Sequence, residues 1–83
     1  MAEKFEVGTT EKHTVTVHWS IFSKRLKVER DNEIVVDKMH LSPAPEEVEF
    51  EIGVSEPHHV LVIAGGFHST EVRVDGRKIE PLP

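Results

Sequence analysis

Cysteine is absent from this 83-residue chain. That excludes disulfide staples, thiolate metal sites and a cysteine nucleophile. Tyrosine is absent too, and Phe5, Trp19, Phe22, Phe50 and Phe67 are the only aromatics. A domain of this length buries roughly 60–65% of the surface its unfolded chain exposes. With 37% hydrophobic residues, that is enough for one core, and a large buried substrate pocket is not expected. Long apolar runs are missing as well. The longest, Val60 to Ala64, is strand length, far short of the roughly 20 residues that span a bilayer. The opening Met-Ala-Glu-Lys-Phe-Glu-Val carries charges where a secretory leader needs an apolar stretch. These absences predict one cytoplasmic domain over residues 1–83 with no membrane partner.

Basic charge is scarce. Ten lysines and arginines face 15 acids, for a net charge of −5. Lys24, Arg25 and Lys27 cluster, but Glu29 follows, and Glu46, Glu47, Glu49 and Glu51 outweigh them. Nucleic-acid binders draw most of their affinity from phosphate neutralisation by a basic patch, so no nucleic-acid partner is expected.

What the chain does have is alternation. His13 to Trp19 places Val15, Val17 and Trp19 on one face and Thr14, Thr16 and His18 on the other, the period-two pattern of a strand with one buried face. Lys24 to Glu29 puts Leu26 and Val28 inward, Glu46 to Ile52 puts Val48, Phe50 and Ile52 inward, and Glu71 to Val74 does the same for Val72 and Val74. No segment carries apolar residues at helical spacing over a helical length. Asp75-Gly76 between Val74 and Arg77 is a two-residue hairpin signal that pairs Val72 with Ile79. For the hairpin around Asp31-Asn32, a three-residue loop over Arg30 to Asn32 pairs Val28 with Ile34 and Leu26 with Val36, keeping all four inside. A two-residue loop would turn Ile34 outward. The three-residue loop is the expectation. Leu41 to Pro45, with two prolines, is the longest connection, and residues 81–83 form a flexible tail. The reading is all-β: a single antiparallel β-sandwich of about seven or eight short strands.

An imperfect internal repeat runs through the chain. His13, Val15, Val17, Phe22, Leu26, Val28, Asp31 and Ile34 align with His58, Val60, Val62, Phe67, Val72, Val74, Asp75 and Ile79. Either an ancient duplication or two hairpins facing one core would produce it.

The second half, Phe50-Glu-Ile52-Gly53, Val60-Leu-Val62, Phe67 and Val72-Arg-Val74-Asp75-Gly76-Arg77-Lys78-Ile79, together with Phe5-Glu-Val7, His13 to Val17 and Lys24-Arg25-Leu26, resembles a domain of the Fas apoptotic inhibitory molecule family over nearly the whole chain. The resemblance implies an all-β sandwich, usually one of a tandem pair, associated with anti-apoptotic signalling and protection against protein aggregation. It implies no catalytic residues and no cofactor.

Six histidines invite a metal reading. Zinc needs three or four convergent ligands, whereas His58 and His59 point to opposite faces of a strand and His13 and His18 differ in parity. Only His13 and His58, equivalent in the repeat, have grounds to approach one another, and polar-rim histidines are the expectation, with no metal. Ser20 and Ser69 lack the strand–turn–helix elbow of a nucleophile, and Gly65-Gly66 has no helix after it to make a phosphate cradle. No enzyme, and no cofactor, is expected. One strand breaks the one-sided rule: in Val60 to Ala64, Leu61 and Ile63 are apolar on the face opposite Val60 and Val62. A covering loop, Leu41 to Pro45 with Met39, would bury them; a protein partner or a second copy of the chain is the favoured cover. Leu61 and Ile63 are therefore the candidate interface of a protein-interaction domain. The alternative is a small-ligand or carbohydrate-binding module built on Trp19 and Phe22, although Trp19 follows the buried parity.

Overall fold

The structure, a computed structural model, describes residues 2–83. Eight strands account for most of them: β1 (Ala2–Val7), β2 (His13–Ser20), β3 (Arg25–Arg30), β4 (Glu33–Met39), β5 (Glu46–Ile52), β6 (His58–Gly65), β7 (His68–Val74) and β8 (Arg77–Ile79). They form two four-stranded antiparallel sheets in simple meander order, β1-β2-β3-β4 and β5-β6-β7-β8. Each sheet comes from one half of the chain, and the chain passes between them once, through His40 to Pro45.

The alternation explains the layering. Phe5, Val7, Val15, Val17, Leu26 and Val28 from the first sheet meet Val48, Ile52, Val60, Val62, Ala64 and Val72 from the second, all buried in one core. Each such aliphatic or aromatic side chain contributes about 1.5–3 kcal/mol by leaving water, so these residues decide which face of every strand turns inward. Trp19, Val35, Val36, Phe50, Val74 and Ile79 pack around the edge of that core. Phe50, expected inside with Val17 and Val62, is thus marginal. The all-β antiparallel sandwich read from alternation is the observed fold, 37 × 23 × 23 Å in extent.

The β7–β8 hairpin matches its expectation, with Val72 opposite Ile79 and Val74 opposite Arg77. Asp75 and Gly76 both have positive φ, 51° and 84°, as a type I′ turn needs. The β3–β4 hairpin does not. Its loop is two residues, Asp31 and Asn32, with φ of 50° and 70° and Arg30 opposite Glu33. A register shift after Glu29 then brings Val28 opposite Val36 and Leu26 opposite Lys38, and Ile34 turns out to solvent. A β-bulge absorbs the residue that the three-residue loop was invoked to accommodate. Correcting the register also corrects the repeat. Val17 pairs with Val28, and Val62 with Val72, so Val28, not Leu26, is the counterpart of Val72. Residues 81–83 are not free of the body: the Leu82 amide donates to the Lys4 carbonyl at 2.7 Å, along the open edge of β1.

Candidate functional site

The two ends of the sandwich differ in chemistry. At one end lie the β1–β2 and β5–β6 loops, Gly8 to Lys12 and Gly53 to Pro57, one from each sheet. Both glycines have φ near +100°, and a Cβ at either would stand 2.0–2.2 Å from the carbonyl oxygen of Glu11 or Glu56, so no other residue fits. Each tight loop gathers its backbone amides into a concave nest, and the opposite loop fills it. The Glu11 carboxylate accepts from the amides of Val54, Ser55 and Glu56 at 2.6–3.1 Å. The Glu56 carboxylate accepts from those of Thr9, Thr10 and Glu11 at 2.7–3.1 Å. The sheets are thereby laced together reciprocally.

Behind each glutamate stands a histidine. His13 donates from Nε2 to Glu11 at 2.6 Å and from Nδ1 to Asp31; His58 donates from Nε2 to Glu56 and from Nδ1 to Asp75 at 2.6 Å. The aspartates also accept from the amides of Thr14 and His59. The electrostatics follow. The three amides, that of Val54 foremost, and His13 hold Glu11 down to about 2, and His58 with its own set of amides holds Glu56 lower still. Hydrogen bonds to Glu11 and Asp31 raise His13 above its ordinary value, and those to Asp75 and Glu56 raise His58. Burial pushes Asp31 up, but the Thr14 amide and His13 outweigh it and its pKa is lowered. Asp75 is lowered by His58 and the His59 amide. With both ring nitrogens engaged by carboxylates, His13 and His58 are tied into the clamp, and their charged form is favoured. Sequence reasoning paired these two histidines but missed the clamp. Its signal was legible: Gly8-Thr-Thr-Glu11-Lys-His13 and Gly53-Val-Ser-Glu56-Pro-His58 are the same phrase twice.

The other end is apolar. The β2–β3 loop around Phe22, the β4–β5 connection around Leu41, and the β6–β7 turn at Phe67 meet there. Phe22 is 96% exposed, Phe67 78% and Leu41 74%, with Ile21 and Met39 also exposed. The loops are tied to one another: the His40 amide donates to the Lys24 carbonyl at 2.8 Å and the Phe67 amide to the Pro43 carbonyl at 3.2 Å. Half-buried Trp19 stands at their base, edge-on to the buried His40 ring at 5.9 Å. Nε2 of His40 in turn donates to the Ala44 carbonyl.

Leu61 and Ile63 lie on the outer face of β6, half-buried at the middle of the second sheet. Glu49 and Arg73 flank Leu61, and Glu47 and Glu71 flank Ile63. The connection that was the alternative cover sits elsewhere: its hydrogen bonds run to Phe67 and His40 at the apolar end. Ser20 Oγ accepts from the Ser23 amide, and the His68 ring turns to the Ser69 carbonyl rather than its hydroxyl. Among the described residues no three His, Asp or Glu side chains are placed to hold a metal ion, and no helix is long and apolar enough to cross a membrane. No protein-family model, curated protein or solved structure matches the chain.

Proposed function

We propose that the chain is a non-enzymatic protein-interaction domain whose working surface is the outer face of the second sheet, centred on Leu61 and Ile63. One observation carries this reading. The apolar pair sits half-buried on the outer sheet face with Glu47, Glu49, Glu71 and Arg73 around it, an apolar centre inside a charged rim, as protein interfaces are built. The resemblance to the Fas apoptotic inhibitory molecule family points the same way and suggests an anti-apoptotic or aggregation-protecting role, in the cytoplasm. A second copy of the chain is the default occupant, because symmetric dimers are the commonest soluble assemblies. The ligand-module alternative draws less support: Trp19 is half-buried beneath the loops, the hollow it shares with His40, Leu41 and Phe67 holds about 90 Å³, and the one between Trp19, Ile21 and Phe22 holds about 300 Å³, at the bottom of the roughly 300–1,000 Å³ of ligand clefts. The test is Leu61→Glu, and separately Ile63→Lys, with sedimentation over a range of concentrations and a client-aggregation assay. The expected outcome is dissociation, or loss of client protection, with the β spectrum retained. An unchanged monomer with unchanged protection overturns the proposal.

A further inference from the structure

The geometry points to the apolar end of the sandwich as a docking surface for a lipid bilayer, into which Phe22, Phe67 and Leu41 insert while the long axis stands away from the membrane. Four observations carry it. The first is composition. The chain has 15 acids, yet none falls in the three loops, Ser20 to Lys24, His40 to Pro45 and Gly65 to His68. Of the acids near these loops, Asp37 and Glu46 are ion-paired, with Arg25 and Lys38, while Glu3 borders a hollow with Trp19 and His68 and has no partner among the described ion pairs. Lys24 projects no acid partner among the described ion pairs and adds a cation at the rim.

The second is shape. Phe22 and Phe67 border small hollows yet keep 96% and 78% of their surface in water. Contiguous exposed apolar groups on an otherwise charged protein mark a contact with something apolar. The third is rigidity. The Lys24 amide donates to the Ser20 carbonyl at 2.8 Å, and Lys24 itself sits in the left-handed region at φ 60°, so the loop that raises Phe22 is a closed turn. Its neighbours are hydrogen-bonded to it and to one another. The rings are held out by the backbone.

The fourth is fit. The end face spans 23 × 23 Å, and its outstanding rings leave it uneven, so a protein partner would need a surface shaped to match them. A bilayer has no such requirement, because its fluid interior closes around each inserted side chain and amphipathic surfaces enter it by roughly 5–10 Å. A neutral phosphatidylcholine surface is not repelled by the net charge of −5; Glu11, Asp31, Glu56 and Asp75 lie at the far end of a 37 Å body, several screening lengths of about 8–10 Å away, and ten of the other acids lie along the strands. The sequence argued against a membrane only because no stretch is long enough to span one, and surface docking needs no span.

The experiment is flotation of the full chain with phosphatidylcholine vesicles, with and without phosphatidylserine, while Trp19 emission is recorded. Wild type should float with both, still float in high salt, and shift its emission to the blue. Phe22→Ser and Phe67→Ser should each lower partitioning about tenfold or more, the worth of removing one Phe ring from an apolar phase. Both side chains are exposed, so circular dichroism and the thermal midpoint should not move. Leu61→Glu should float as wild type does, which separates this surface from the outer sheet face. Absence of flotation at millimolar lipid overturns the inference, as does a Phe22→Ser/Phe67→Ser double variant that floats normally. So does a concentration-dependent self-association without lipid that the double variant abolishes, since the end would then bind protein.

Discussion

At the scale of single residues, the reciprocal glutamates make stability a function of pH with two limbs. Glu11 is ordinarily at 4.5 and is held at about 2 in the fold, and Glu56 shifts the same way. Their contribution is complete above the unfolded value and fades as pH falls from 4.5 toward 2. His13 and His58 are raised above 6.5, so theirs is complete below that value and fades as pH climbs through the raised one. His59 adds to the second limb, raised by its bond to Glu51. The thermal midpoint should therefore be highest between about pH 4.5 and 6.5 and decline on both sides. Calorimetry across pH would show it. In the His13→Gln/His58→Gln double variant the alkaline decline should flatten, and a slope unchanged from wild type would show that the rings are bystanders. Gly8→Ala should lower the midpoint at every pH, because its Cβ collides with the Glu11 carbonyl.

Elements were far more legible than the contacts between them. Period-two alternation carries its own physics, since a strand at a sandwich face must bury every second side chain. Thus β2, β3, β5 and β7 could be placed from the alternation of apolar and polar residues alone. The β3–β4 register could not. Asp31-Asn32 was a correct turn signal, but a bulge has no composition of its own and its cost appears only against the partner strand. The clamp's repeated phrase was legible but its contacts were not, for a related reason: Glu11 lies beside amides that follow it by more than 40 positions, and no local rule links them. Leu61 and Ile63 stood out as candidates because they break alternation, whereas Phe22 and Phe67 were noted as loop residues whose exposure only the fold reveals. Parity makes a test at this scale. Phe5 is 1% exposed between the sheets, so Phe5→Ala should cost about 3–5 kcal/mol, most of the stability of a domain whose total lies toward the low end of roughly 5–15 kcal/mol. Phe50→Ala, at the core's margin, should cost clearly less. Urea titration of both variants checks the order, and the reverse ranking would place Phe50 inside.

For the whole molecule, the consequential feature is that each sheet is drawn from one half of the sequence and only His40 to Pro45 joins them. What holds the halves together is two valine-rich faces and the exchanged glutamates, and none of that depends on the connecting backbone. The molecule is therefore divisible. A peptide of residues 1–41 and one of residues 42–83 should each be unstructured or aggregated alone, because each would expose a complete apolar sheet face. Mixed in equal amounts they should recover the β spectrum and one cooperative unfolding transition that depends on concentration. Glu11→Gln in the first peptide should weaken the assembly more at neutral pH than at pH 2, where the carboxylate is losing its charge. If the mixture stays unstructured, the connection does more than join. If it assembles, the two halves recognise each other as separate molecules would, and a chain cut or opened at this one point has a ready means of capturing its complement from another copy.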